Sequence, residues 1–226
     1  MPISIIIPTL NEARELPALT SRLEPLRRRG CELILVDGGS TDGTPELARP
    51  HVDRVVGAPR GRAAQMNAGA GQAAGGVFVF LHADTRLPEG ADEMILGGLA
   101  RTGRAWGRFD VLIDGTHPIL KLVGSMMNLR SRLSGIATGD QTIFMTREAY
   151  ARVGGFPELA LMEDVAISRA LKHVSRPVCI SQRAVTSGRR WQARGIYRTI
   201  GLMWMLRLAY FLGVPPERLA RVYAGK

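Results

Sequence analysis

The chain has little that would staple it, anchor it or export it. Of its 226 residues only two are cysteine, Cys31 and Cys179. They lie at or near expected strands without metal-ligand spacing, so free buried thiols in a reducing cytoplasm are expected rather than a disulfide. The opening Met1–Pro8 lacks the basic region and apolar run of a signal peptide and reads as a first strand. No apolar run reaches the roughly 20 residues of a membrane span: Gly201–Gly213 is too short, and Arg198 and Arg207 interrupt the longer segment. Repeats and low-complexity tracts are absent. Aromatics make up only 6% of the residues and are not interleaved with the basic ones, which argues against a nucleic-acid platform.

Lysine is scarce too, at three of thirty basic residues, and the net charge of +10 is unevenly placed. Through Ser175 there are 20 basic and 19 acidic residues; from Arg176 onward ten basic residues face Glu217 alone. A near-neutral body with a basic tail points to an anionic partner: a membrane face, nucleic acid or substrate phosphate. In the tail, Arg190, Arg194 and Arg198 recur at four-residue spacing and would form one cationic stripe on a helix. Arg207 lies about 180° from Arg198 on such a helix. The apolar residues around it (Met203, Trp204, Leu208, Tyr210 and Phe211) suit a core or dimer helix, or one lying on the inner membrane face.

Strand and helix signals alternate through the first half. Strands are expected at 3–7, 32–36, 52–56 and 77–81, with helices at 12–29, after Thr44 and at 63–74. Short βα connections imply an α/β, mostly parallel sheet flanked by helices. The second half is less regular, with strands at 105–113, 141–145 and 177–180 and helices at 118–133 and 162–173. A helical C-terminal segment would follow, so residues 1–190 form one domain (halves 1–100 and 101–190) and 191–226 an appendage.

The most informative stretch is Val77–Thr85. A buried apolar strand stops at His82-Ala83-Asp84, placing an imidazole and a carboxylate at the carboxyl edge, where open α/β sheets bind ligands. Two residues apart, they point the same way in extended chain and could hold a divalent cation against a diphosphate. Pro8, Thr9 and Glu12 follow the first strand, and Asp37 ends the second, positioned for a base or ribose. Arg60 and Arg62 beside a helix start favour an anion, and Asn67 adds a donor. Glu163 and Asp164 pair at another helix start, where acids complement the dipole and a fixed carboxylate could also deprotonate a hydroxyl. Gly139-Asp140-Gln141 could line the acceptor side.

Taken in order, Ile-Ile-Ile-Pro-Thr-Leu-Asn-Glu (5–12), Val-Asp-Gly-Gly-Ser-Thr-Asp-Gly-Thr (36–44), Phe-Leu-His-Ala-Asp-Thr (80–85), Gly-Gly-Phe (154–156) and Met-Glu-Asp (162–164) resemble the family 2 glycosyltransferases of the GT-A fold. His-Ala-Asp-Thr, Gly-Asp-Gln-Thr-Ile-Phe (139–144), Leu-Met-Glu-Asp and Arg-Arg-Trp (189–191) resemble most the small bacterial arsenosugar-biosynthesis subfamily. The resemblance implies a nucleotide-diphosphate-sugar donor, Mg²⁺ or Mn²⁺ and an inverting transfer to an unidentified hydroxyl acceptor. Pro8, Thr9 and Glu12 would border the nucleoside, and Asp37 would bind its base or ribose. Arg60, Arg62, Asn67 and Ala83 would complete the donor site. Asp84 would contact the metal, with His82 in place of the family's first Asp, and Asp164 would be the base beside Glu163. The alternatives are a sugar-phosphate nucleotidyltransferase, disfavoured by the absence of a Gly-rich basic N-terminal loop, and a non-catalytic nucleotide-sugar binder.

Overall fold

The computed structural model describes residues 1–224, with all side chains but those of Arg190, Ala193 and Arg194. The first half runs β1 (Ile3–Thr9), α1 (Leu16–Arg28), β2 (Glu32–Asp37), α2 (Thr44–Ala48), β3 (Arg54–Gly57), α3 (Arg62–Gln72) and β4 (Val77–Phe80). The second half continues β5 (Thr85–Arg86), α4 (Ala91–Thr102), β6 (Trp106–Asp114), α5 (Ile119–Ser134), β7 (Ile143–Thr146), α6 (Arg147–Val153), α7 (Glu163–Lys172) and β8 (Val178–Ser187). Three helices close the chain: α8 (Arg189–Arg194), α9 (Ile196–Phe211) and α10 (Pro216–Ala224).

The strands form one sheet in the order β3-β2-β1-β4-β7-β6-β8-β5. From β3 to β4 every pairing is parallel, as the βα alternation predicts. Beyond β4 the sheet is mixed, though four of the seven strand pairings among the described residues are parallel. β7 runs antiparallel to both β4 and β6, β8 is parallel to β6, and β5 is antiparallel to β8. Alternate residues of each central strand face opposite helix layers. Ile5, Ile7, Leu33, Leu35, Val77 and Val79 pack with Leu19 and Leu23 of α1 and Ile95 of α4. Ile6, Ile34, Val36, Phe78 and Phe80 pack with Met66 and Ala70 of α3 and Ile167 and Leu171 of α7. Burial on both sides explains why these strands read as unbroken apolar runs.

β8 extends to Ser187, well beyond the four residues expected. Its polar Ser181-Gln182-Arg183 face solvent, and an irregularity at Phe109/Asp110 of β6 lets pairing resume after them. The anticipated arginine stripe does not form as one helix. Gly195, at φ +83°, separates α8 from α9, so Arg194 and Arg198 belong to different helices. The side chains of Arg190 and Arg194 lie outside the described set. α9 is neither wholly core nor wholly surface. Leu206 is fully buried in a cluster with Met162 and Leu219 of α10, while Tyr197, Trp204, Leu208 and Phe211 are exposed. Cys31 is a buried free thiol whose pKa burial pushes up to about 11, which suits an inert core residue.

The centre of the second half depends on one missing side chain. Gly107 pairs with both Phe144 and Val178, and a Cβ there would stand 2.4 Å from the Val178 carbonyl oxygen and 2.6 Å from Phe144 Cζ. Gly107→Ala therefore forces strand backbone apart and is expected to cost about 1–3 kcal/mol. For a chain of this size that lowers the melting temperature by about 2–4 °C per kcal/mol. An unchanged thermal midpoint would show that β6 and β8 tolerate the methyl.

Candidate functional site

At the carboxyl edge of β1 and β2 two loops are zipped together. Asn11 N–H donates to Ser40 Oγ (2.8 Å), Glu12 N–H to Thr44 Oγ1 (2.9 Å) and Ala13 N–H to Asp42 Oδ2 (3.0 Å). Asn11, at φ +55°, returns the bond by accepting Thr41 N–H at 2.9 Å. Asp37 organises the turn. Its carboxylate accepts Gly39 N–H and Ser40 N–H, both at 2.9 Å, and Ser40 Oγ–H at 2.5 Å. Gln65 of α3 reaches across to donate to the Thr9 and Val36 carbonyl oxygens at 2.7 and 2.9 Å, locking β1 to β2. Thr9 is buried and hydrogen-bonds Val36 O through its hydroxyl, whereas Pro8 and Glu12 keep partly exposed surface on this edge.

The acids meet around the end of β4. Antiparallel pairing sets Phe80 opposite Ile143, which carries the turn Thr138–Thr142 alongside His82. His82 Nδ1 lies 3.4 Å from Asp140 Oδ1, and its Cε1–Nε2 edge packs on Gly139, where a Cβ would stand 2.4–2.5 Å from the ring. The imidazole thus packs on this turn while lining the same cleft as Asp84. Ala83 is buried in the turn after β4. Asp84 is half-buried and lines the cleft, and its carboxylate has no hydrogen bond or ion pair among the described residues.

Glu163 and Asp164 open α7 behind Met162, a non-glycine at φ +70°. Together with Asn11 and Thr142 (φ +48°), Met162 completes the described non-glycine residues in left-handed backbone, and all three flank the cleft or its loops. Strain of this kind concentrates at functional sites. Asp164 Oδ2 accepts Gly139 N–H (3.0 Å) and Oδ1 accepts Val165 N–H (2.7 Å). Those two bonds fix the rotamer and leave further lone pairs free, since a carboxylate offers about four. Glu163 is buried. Burial, reinforced by the Asp164 charge, raises its pKa above the usual carboxylate range against the pull of Arg62 and His82.

Arg62 stands at the start of α3 on the cleft wall. Crowding by protein works to lower its pKa, but Glu163, Asp140, Asp164 and Tyr223 outweigh this and hold it above its ordinary value. The cleft is closed from the far side by Thr186 and Ser187 of β8, Trp191 of α8, Leu202, Met203 and Arg207 of α9, and Tyr223 of α10. Sequence reasoning placed His82, Asp84, Arg62, Glu163 and Asp164, and they share this one cleft. Arg60 is exposed and is not among the residues lining it. Asn67 ties α3 to the Gly-Gly-Phe loop: its Nδ2 donates to Phe156 O (2.8 Å), and its Oδ1 accepts Tyr150 Oη–H (2.8 Å) and Phe156 N–H (2.9 Å). Arg207 was visible in the sequence only as a charge interrupting an apolar helix. Asp140 was visible only as a lining residue, and Arg130 of α5 carried no signal.

Asp84 suits a hard divalent cation, being a partly exposed carboxylate without a protein partner. Among the described residues no group of three His, Cys, Asp or Glu side chains stands ready to hold a metal. A cation here would take most of its oxygens from phosphate and water, a common arrangement for Mg²⁺.

The raised pKa of Glu163 has a signed consequence. A carboxyl whose folded pKa exceeds its unfolded value favours the folded state below the unfolded pKa, and this stability is lost as pH rises through the folded pKa. Glu163→Gln removes that loss. The variant is expected to melt above the wild type at pH 8, with the difference vanishing as pH falls below the ordinary Glu range. Melting curves that stay parallel across pH 4–8 would refute it.

Residues 4–153 match the glycosyl transferase family 2 model. Over 96 residues the chain is 43% identical to the PGL/p-HBAD biosynthesis glycosyltransferase of Mycobacterium tuberculosis, covering 38% of this chain and 36% of that protein. Over 46 residues it is 50% identical to the succinoglycan biosynthesis protein ExoA of Rhizobium meliloti, covering 20% and 14%. The chain thus matches about a third or less of the length of these relatives. In three dimensions it is similar to S. aureus TarS 1–349 in complex with UDP (TM-score 0.67, 20% identity, 83% of this chain and 60% of that one). It is also similar to the mannosyltransferase PcManGT from Pyrobaculum calidifontis in complex with GDP-Man and Mn²⁺ (TM-score 0.58, 22% identity, 81% and 56%). The fold is the α/β GT-A type, with C-terminal helices added to it. With two thirds of its length inside the family model, the chain belongs to glycosyl transferase family 2.

Proposed function

We propose that the protein is an inverting glycosyltransferase that moves a sugar from a nucleotide-diphosphate donor to an acceptor hydroxyl, with Asp164 as general base. The observation that carries this reading is the placement of Asp164. It is held by two backbone N–H groups on the wall of the cleft that Asp84 also lines. Asp164 takes the hydroxyl proton, the hydroxyl oxygen bonds to the anomeric carbon, and the bond from that carbon to the diphosphate oxygen breaks. The nucleoside diphosphate leaves with the electron pair. A Mg²⁺ or Mn²⁺ ion on Asp84 would neutralise charge on that leaving group. The zipped Asn11–Asp37–Asp42 edge receives the nucleoside, and Arg62 faces the phosphates. Family membership and the UDP- and GDP-Man-bound neighbours support the donor class. The acceptor is of the kind handled by the arsenosugar-type subfamily that the motifs resemble or by the PGL/p-HBAD relatives.

Paired variants test the two roles. Asp164→Asn is expected to lose about 10²–10⁴-fold in turnover while still binding UDP in a calorimeter. Asp84→Ala is expected to lose the dependence of that binding on Mn²⁺. Normal turnover in the first variant, or unaltered Mn²⁺-dependent affinity in the second, would reject the corresponding role.

A peripheral contact with an anionic membrane is a second part of this reading, favoured by what the helices leave exposed. Tyr197, Trp204, Leu208 and Phe211 fall on one face of α9, and Leu122, Met126, Leu129 and Leu133 on one face of α5. Exposed Arg198, Arg218 and Arg221 lie nearby in sequence. Aromatic and apolar area flanked by arginine suits the interface of a bilayer. Co-sedimentation with anionic vesicles, weakened by salt and by Trp204→Glu, is the expected result. A dimer by light scattering that ignores such vesicles at low salt would assign these faces to a subunit interface.

A further inference from the structure

Three arginines approach the acids of the cleft from separate elements: Arg62 from α3, Arg130 from α5 and Arg207 from α9. Among the described residues none of their guanidinium groups makes a hydrogen bond or close ion pair. Arg62 is nevertheless answered by three surrounding carboxylates. Arg130 is not. Its Nε and Nη2 are fully buried without a partner. Asp164 is the one acid acting on it, against Arg207 and Arg108, and burial with these like charges draws its pKa down to about 10. Burial likewise lowers the pKa of Arg207, against attraction from Asp164 and Asp140.

The same fold shows how it treats a buried arginine that serves structure. Arg108, with no exposed surface, donates to Ser131 Oγ (3.0 Å) and Asn128 O (3.3 Å) and pairs with Asp110. A buried donor left unsatisfied is costly, and more so when it is charged. Arg207 brings a second cation to the cleft, so the arrangement makes sense when a ligand brings the missing negative charge.

We infer that Arg130 and Arg207 form a subsite for an anionic group, phosphate or carboxylate, carried by the acceptor whose hydroxyl meets Asp164. This rests on the reading of Asp164 as base. The side of the cleft follows from the elements that bear the arginines. Arg62 lines the cleft from the start of α3, next to the β1–β2 edge, whereas Arg207 lines it from α9 on the opposite wall. Guanidinium forks match the paired oxygens of either group. The donor diphosphate offers the same oxygens, so the two sources must be separated by experiment.

Inorganic phosphate is the probe, titrated into the full chain already saturated with UDP and Mn²⁺. The wild type is expected to bind it and to melt at higher temperature in its presence. Arg130→Met and Arg207→Met are each expected to weaken phosphate binding by about tenfold or more and to leave UDP–Mn²⁺ affinity within about twofold. Without ligands, Arg130→Met is expected to melt at or above the wild-type temperature, because it removes an unpaired buried cation. Unchanged phosphate affinity in both variants, or no phosphate binding by the wild type, overturns the subsite. A matching fall in UDP affinity assigns the arginines to the donor diphosphate and overturns the acceptor assignment. A clear drop in the melting temperature of Arg130→Met marks a structural arginine and overturns its role, while Arg207→Met still tests the other half. Failure of the wild type to bind UDP with Mn²⁺ at all would instead count against the donor reading above.

Discussion

The site depends on the pairing of β7 against β4 in the reverse direction. Had β7 continued the parallel run, its start would lie at the far end of the sheet from His82. The antiparallel register Phe80↔Ile143 instead brings the Thr138–Thr142 turn to the ligand-binding edge. That turn supplies Asp140 to His82 and the Gly139 N–H to Asp164. One strand reversal therefore joins the first half of the chain to the helix start that bears the proposed base. The absence of a side chain at Gly139 is what lets the imidazole close on the turn.

The electrostatics of the cleft are a balance between acids crowded on one wall and arginines delivered from three helices. Glu163 is raised in pKa by burial and by its neighbour, while Arg62 is raised by the carboxylates it faces. The buried Glu163 is a cost to the fold at neutral pH, whereas Arg62 is stabilised by the carboxylates it faces.

Much of this was legible in the sequence. The β1–β4 half was readable because short βα units and apolar runs obey local rules, and the strand-end acids Asp37 and Asp84 emerged where those rules place them. Glu163 and Asp164 were readable as a helix start. Harder to read was anything that depends on pairing across distance. The reversal at β7 left no local mark, nor did the two-residue β5, nor the resumption of β8 beyond its polar stretch. The same blindness hid Arg130, an unremarkable arginine in an amphipathic helix until α9 is laid near it. It also hid the contacts of Asn67, since a lone amide near a helix start cannot reveal that Tyr150 and the Gly-Gly-Phe loop will bond to it.

The way α9 and α10 are fastened has a consequence for how specificity could diversify. They contribute Leu202, Met203, Arg207 and Tyr223 to the cleft wall, yet they hold to the body through the small cluster of Met162, Leu206 and Leu219. The β1–β2 edge, by contrast, is knitted into the central strands. Substitutions in the tail can therefore reshape that wall of the cleft while sparing the β1–β2 edge, as exchangeable jaws fit a fixed vice. Divergent evolution on such a frame would leave residues 4–153 recognisable and let the last forty drift.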